Sequence, residues 1–196
     1  MAEQRPRLVM VRHGETEWSR DGRHTGRTDL PLAGSGLAQA RAIGRRLAGQ
    51  RFALVLSSPL VRAAETCRLA GFGEAAVLDE DLLEWDYGSY EGLTTATIRE
   101  TRPGWTLWED GVPDGESPGE VGRRADRIIA RVRELDGDAL CFAHGHVLRV
   151  VAARWVGLPA VGGRVLALDA AATGVAGWER EVPVIERWNE PAEQTR

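Results

Sequence analysis

Three short segments carry the residues whose types and spacing could do chemistry. Arg12-His13-Gly14-Glu15 sets an imidazole able to act as a nucleophile beside a guanidinium, with a glycine that lets backbone approach a ligand closely. Ala143-His144-Gly145-His146 brings a second histidine and glycine together, and Ser57-Ser58-Pro59 precedes Arg62, another fork-shaped cation suited to an oxyanion. Together they form an anion-handling set. Each piece alone has a plainer reading: His13 as a hydrogen-bonded structural histidine, Arg62 as a surface arginine near Glu65. Chemistry is favoured because all three segments follow an apolar run.

The elements that must position them can be read from periodicity. Arg7 to Val11 (RLVMV) is a short apolar run, a buried strand feeding the His13 loop. From Ala33 onward, Leu37, Ala40, Ile43 and Leu47 recur at helical spacing until Gly49, and Ala53 to Leu56 returns to strand. Pro59 opens a second helix, with Leu60, Ala64 and Cys67 on one face until Gly71. Ser117-Pro118-Gly119-Glu120 reads as a capping box with proline at the first helical position, followed by Val121, Ala125, Ile128, Val132 and Leu135. Asp138 to Ala143 (DALCFA) is the next strand, and Val147, Val151 and Trp155 place a helix directly after the second histidine pair. Three short strands close the chain, at Val165 to Leu168, Gly174 to Trp178 and Val184 to Trp188, with a frayed tail after Asn189.

Strands alternating with helices predict a three-layer α/β/α fold with a mostly parallel central sheet, whose ligands bind beyond the carboxyl ends of the strands. Both histidine clusters lie at such ends. The helix after His144 would turn its backbone N–H groups and dipole toward the same crevice. The 196 residues predict one domain, with a motif core over about 7–160, C-terminal strands over about 165–188 and a tail over 189–196. Formal charge is −4, from 29 acidic and 25 basic residues, which argues against nucleic acid and anionic membranes as partners. All the cations are arginine, so Schiff-base and P-loop lysine chemistry are excluded. Cys67 and Cys141 make neither a disulfide framework nor a zinc spacing. No apolar run approaches the ~20 residues of a membrane span, and Met1 to Arg12 lacks the apolar core of a secretory signal, so a cytoplasmic protein is expected.

Five ordered motifs between Leu8 and about Leu158 resemble the histidine phosphatase superfamily, branch one, also called phosphoglycerate mutase-like. They are RHGETEWS at Arg12–Ser19, HTGRTDLPL at His24–Leu32, SSPLVRAAET at Ser57–Thr66, LLEWDYGSYEG at Leu82–Gly92 and FAHGH at Phe142–His146. The stretches EWDYGSYEGL and FAHGHVLR are similar to small-molecule acid phosphatases and sugar bisphosphatases of that family, including its sedoheptulose-bisphosphatase branch. The resemblance implies a phosphatase acting on small phosphate monoesters through a phosphohistidine at His13, with no metal or other cofactor. It further implies that Arg12, Arg62 and His144 surround the phosphoryl oxygens, while Glu84 protonates the leaving group and then activates water. Glu84 without the motif would read as a solvated loop carboxylate.

Ser19, His24, Thr25, Gly26, Tyr87, Gly145 and Arg149 are the substrate-contact candidates. Backbone amides of Thr25 and Gly26 would serve as donors, and His24 and Arg149 would meet the distal part of the substrate unless they are an ordinary loop histidine and a helix-surface arginine. Ser19 stands where many family members carry asparagine, which shortens its reach toward phosphate. Trp85, Tyr87, Tyr90, Trp105 and Trp108, with Glu116, could form a cap over the site or pack in the core. A cofactor-dependent phosphoglycerate mutase is the alternative, but Leu93 to Gly115 adds only Arg99 and Arg102 and no long enclosing insertion. A non-catalytic binding module on the same fold is the third reading. An exposed edge strand could make a homodimer.

Overall fold

Alternating apolar residues in the strands face two different helix layers. A computed structural model describes residues 5–192. In chain order its elements are β1 (Leu8–Arg12), α1 (Glu17–Arg20), α2 (Gly34–Leu47), β2 (Leu54–Ser57), α3 (Val61–Leu69), β3 (Ala76–Leu78), α4 (Thr95–Thr101), α5 (Leu107–Asp110), α6 (Pro118–Arg133), β4 (Ala139–Ala143), α7 (Gly145–Trp155), β5 (Thr173–Glu179) and β6 (Val182–Glu190). They build one six-stranded sheet in the order β3-β2-β4-β1-β5-β6. The first four strands in that order run parallel; β5 is antiparallel to β1, and β6 to β5.

Leu8 and Met10 of β1, with Ala139 and Cys141 of β4, pack against α6 and α7. Val9 and Val11, with Leu140 and Phe142, pack against α2 and α3 on the other face. The period of two in the strands thus sorts the core into the two faces of an α/β/α sandwich. The expected capping box at α6 is present: the Glu120 N–H donates to Ser117 Oγ at 3.3 Å and the Ser117 N–H to Glu120 Oε2 at 2.8 Å. Among the described residues no helix is long and apolar enough to cross a membrane.

The fold departs from expectation in three places. Val165 to Leu168 is not a strand: Ala160–Val165 forms a 3-10 turn, and 166–168 is irregular. The carbonyls of Ala167 and Leu168 go to the side chains of Trp188 and Arg12 instead of a neighbouring strand, and those of Gly163 and Arg164 in the turn before them accept from Arg149. The edge strand β3 has only three residues, two of them exposed, too short to show alternation. Asn189 and Glu190 belong to β6, with Glu190 opposite Thr173, so the frayed tail does not begin there; residues 193–196 lie outside the described residues.

Candidate active site

Parallel pairing of β1 with β4 sets Arg12 opposite Ala143, so His13 and His144 leave the sheet side by side. Their rings stand edge to face with centroids 5.1 Å apart. His13 Nδ1 lies 2.7 Å from the carbonyl oxygen of Gly14. A carbonyl can only accept, so Nδ1 carries the proton and Nε2 presents a lone pair. Burial, with Arg62 and Arg12 adding their charge, holds His13 well below the usual imidazole range, so the ring is neutral at neutral pH. Arg12 donates from Nη1 to the Leu168 carbonyl, but its buried Nε has no partner among the described residues. An unpartnered buried charged donor is costly, and an anion would satisfy it. Gly145 leaves room for this guanidinium: a Cβ there would lie 3.3 Å from Arg12 Cζ and Nε.

Arg62 is fully buried, at 0% exposure, and Glu65 is not its partner. It donates from Nε to His144 Nδ1 (3.1 Å), from Nη1 to the Thr28 carbonyl (3.0 Å) and from Nη2 to the carbonyls of Thr25 (3.0 Å) and Gly26 (2.9 Å). His144 therefore accepts at Nδ1 and keeps its proton on Nε2, 2.8 Å from Ser58 Oγ. Burial, then Arg62, holds His144 well below the usual imidazole range too. Neither Arg62 nor His144 is among the residues that line the cavity around His13, and four of the five Arg62 N–H groups are already engaged with protein.

Glu84 is buried and serves as a remote cap for α7. Its Oε2 accepts from the His146 N–H (3.0 Å), and its Oε1 from the N–H groups of Val147 (2.9 Å) and Trp85 (2.9 Å). The expectation that these α7 N–H groups face an anionic ligand is thus corrected, because Glu84 takes two of them. Arg124 of α6 holds the Glu84 loop, donating from Nη1 to the carbonyls of Asp81 (2.7 Å) and Leu83 (2.9 Å) while pairing with Glu116 at 2.7 Å.

His13, Arg12, Glu84 and Gly145 line a cavity of about 270 Å³ together with Ser19, His24, Thr25, Tyr87 and Arg149. A larger hollow of about 800 Å³ beside β3 is lined by no histidine and lies away from this chemistry. Several expected contacts take another form. The Ser19 hydroxyl donates to the Thr16 carbonyl (3.0 Å) and accepts from the Thr16 N–H (2.9 Å), so it closes the turn at α1. The Gly26 amide donates to the Glu91 carboxylate at 2.9 and 3.0 Å and is not free for a ligand; Gly26, unlike Thr25, does not line the cavity. Trp85, Tyr87, Trp105 and Trp108 are core residues, and Glu116 is tied to Arg124, so this group is no cap.

Sequence reasoning assigns no role to His146, although it closes the FAHGH motif. Its Nδ1 lies 2.6 Å from Tyr87 Oη, and His24, Trp85 and Trp108 surround its ring in the cavity wall. Arg149 is no helix-surface arginine: it donates to the carbonyls of Gly163 (3.0 Å) and Arg164 (3.1 Å) and stacks on Trp108, 4.7 Å from the ring centroid. The Leu168 carbonyl, held by Arg12, could not be found from side-chain types at all.

Fold and site together define an α/β protein with a histidine and arginine cluster at its parallel strand ends. The chain belongs to the histidine phosphatase superfamily, branch 1, whose family model matches residues 8–191. It is 44% identical to an acid phosphatase of Mycobacterium tuberculosis, over 90% of this chain and 88% of that one. It is 37% identical to the sedoheptulose 1,7-bisphosphatase of Saccharomyces cerevisiae, over 78% of this chain and 68% of that one. The solved structure of a Mycobacterium tuberculosis open reading frame superposes with a TM-score of 0.89 at 40% identity, covering 96% of this chain and 99% of that one. Relatives named as phosphoglycerate mutases match at lower identity.

Proposed function

We propose that this protein is a phosphatase of small-molecule phosphate monoesters, sugar phosphates or related metabolites, working through a phosphohistidine. One observation carries the reading: a neutral His13 with its Nε2 lone pair free stands beside an Arg12 whose buried Nε lacks a partner among the described residues.

In the first step Nε2 of His13 attacks phosphorus, the P–O bond to the leaving group breaks, and Glu84 gives that alkoxide its proton. In the second, the Glu84 carboxylate takes a proton from water, which attacks the phosphohistidine; the P–N bond breaks and phosphate leaves. Arg12 supplies open N–H donors to the phosphoryl oxygens. Arg62 adds charge and holds the loop carrying Thr25, and His144 fixes the Arg62 head. These guanidinium groups supply the cationic charge that a metal ion would otherwise bring, so turnover needs none. The two cysteines are free and buried, with burial pushing each thiol up to about 12, which suits a reducing cytoplasm.

Hydrolysis is favoured over mutase chemistry because Trp85, Trp105 and Trp108 are spent in the core and Thr95 is the one residue of 93–115 that lines the cavity, so this segment offers little to keep water from the phosphohistidine. The test is phosphate release in the presence of chelator from p-nitrophenyl phosphate, 3-phosphoglycerate and sugar mono- and bisphosphates, with alkaline-quench trapping of labelled enzyme. His13→Ala is expected to lose both the alkali-stable label and at least about a thousandfold of turnover. An active His13→Ala, or isomerisation of phosphoglycerate without phosphate release, overturns the reading.

A further inference from the structure

The loop that anchors Arg12 is itself held by the last strand of the sheet. Leu168 gives its carbonyl to Arg12 Nη1 and lines the cavity, while Ala167 and Asp169 on either side of it are exposed. Trp188 Nε1 donates to the Ala167 carbonyl at 2.6 Å. The Asn189 side chain takes Asp169 twice, accepting its N–H at Oδ1 (2.7 Å) and donating from Nδ2 to its carboxylate (3.0 Å). Among the described residues, the hydrogen bonds that tie 167–169 to anything beyond 163–172 come from the side chains of Arg12, Trp188 and Asn189.

This clamp needs a departure from regular strand geometry. Thr173 stands opposite Glu190 and Val175 opposite Arg187, so Trp188 and Asn189 share Gly174 as their partner in a β-bulge. In an even pleat consecutive side chains point to opposite faces; here both reach one loop. Asn189 accordingly sits in the left-handed region, at φ 53°. The Trp188 ring lies so close on β5 that a Cβ at Gly174 would be 2.6 Å from its Cε3. The consequence falls on Arg12. A planar guanidinium turns as one unit, and with Nη1 tied to Leu168, the place of that carbonyl sets where the unpartnered Nε points.

Resting on the phosphatase reading, we propose that Trp188 and Asn189 are positioning residues for phosphoryl transfer. They clamp 167–169 so that the Leu168 carbonyl holds the Arg12 fork aimed at the phosphoryl oxygens.

Trp188→Phe removes the indole donor and keeps a ring on Gly174, and Asn189→Gly removes the amide at a φ that suits glycine. The double variant should lose about ten- to hundredfold in kcat/KM, and each single variant about three- to tenfold. Losses should be equal on p-nitrophenyl phosphate and glycerol 3-phosphate, because Arg12 acts on the phosphoryl group and not on the leaving group. In an Arg12→Lys background, which has no fork to aim, the same two substitutions should cost less than about twofold. Full kcat/KM in the double variant, or an undiminished loss in the Arg12→Lys background, overturns the proposal. So does a loss confined to glycerol 3-phosphate, which would place the effect at Glu84. If the double variant does not fold, as urea titration shows, the single variants carry the same comparisons. Calorimetric binding of orthovanadate, which adopts the geometry of a phosphoryl group in transfer, reads the clamp without turnover. Its affinity should fall by the same factor as kcat/KM, and an unchanged affinity overturns the clamp. If the wild type hydrolyses no ester, the phosphatase reading falls, and the orthovanadate comparison still decides the role of Trp188 and Asn189.

Discussion

At the scale of residues, Glu84 joins a structural part to the acid role proposed for it. Its oxygens accept three backbone N–H groups, two of them the otherwise orphaned donors at the start of α7. Glu84→Gln removes the transferable proton and points an NH₂ group at one of those donors. Esters with poor leaving groups should slow by about a hundredfold or more, while p-nitrophenyl phosphate, whose leaving group needs no protonation, slows far less. Equal losses on both substrates would remove Glu84 from the acid role. A drop of about 1–3 kcal/mol in unfolding free energy from the unsatisfied donor should accompany the kinetic change, measurable by urea titration.

Among the elements, the joint between the His13 loop and α2 is set by two glycines in backbone contact. A Cβ on Gly14 would lie 2.5 Å from the Gly36 carbonyl oxygen, and one on Gly36 only 2.2 Å from that of Glu15. Gly36 is inside α2, where helix propensity alone predicts that alanine stabilises by about 1 kcal/mol. The contact predicts the opposite: Gly36→Ala should destabilise by about 1–3 kcal/mol and lower kcat by moving the loop that orients His13. A variant with raised melting temperature and full kcat would show that the joint yields without disturbing the nucleophile. Arg124 plays the matching part on the other side, anchoring the Glu84 loop to α6.

For the whole molecule, concentrating all four buried or half-buried histidines around one cavity sets a lower pH limit on stability. Burial lowers His13, His144 and His146 well below the ordinary imidazole value, and His24 below it as well. Unfolded chains take up these protons near pH 6.5 while the native state resists, so the unfolded state binds more protons below that pH and stability falls. Above about pH 6.5 this contribution is constant; below it the slope is about 1.4 kcal/mol per pH unit for each histidine kept neutral. Urea midpoints should therefore be flat between pH 8 and 7 and drop steeply between 6 and 5. A midpoint that holds or rises over that acid interval would show that the cluster protonates in the folded protein.

What could be read in the sequence was whatever depends on near neighbours. Val9 and Val11 alternating with Leu8 and Met10, the Ser117 and Glu120 capping box, and proline and glycine at helix boundaries placed β1, α2, α6, β4 and α7. With them came the strand-end positions of His13 and His144, because side-chain periodicity and capping act over a few residues. Tertiary structure alone decided where the backbone polar groups go. The carbonyl of Leu168 is taken by Arg12, 156 positions away, the amides of His146 and Val147 by Glu84, and the amide of Gly26 by Glu91. For that reason the strand expected at 165–168 became the end of a turn and a loop, and Arg62 spends four of its five N–H groups on His144 and three backbone carbonyls. Every buried donor and acceptor must find a partner, and a partner distant in sequence leaves no periodic trace in the chain.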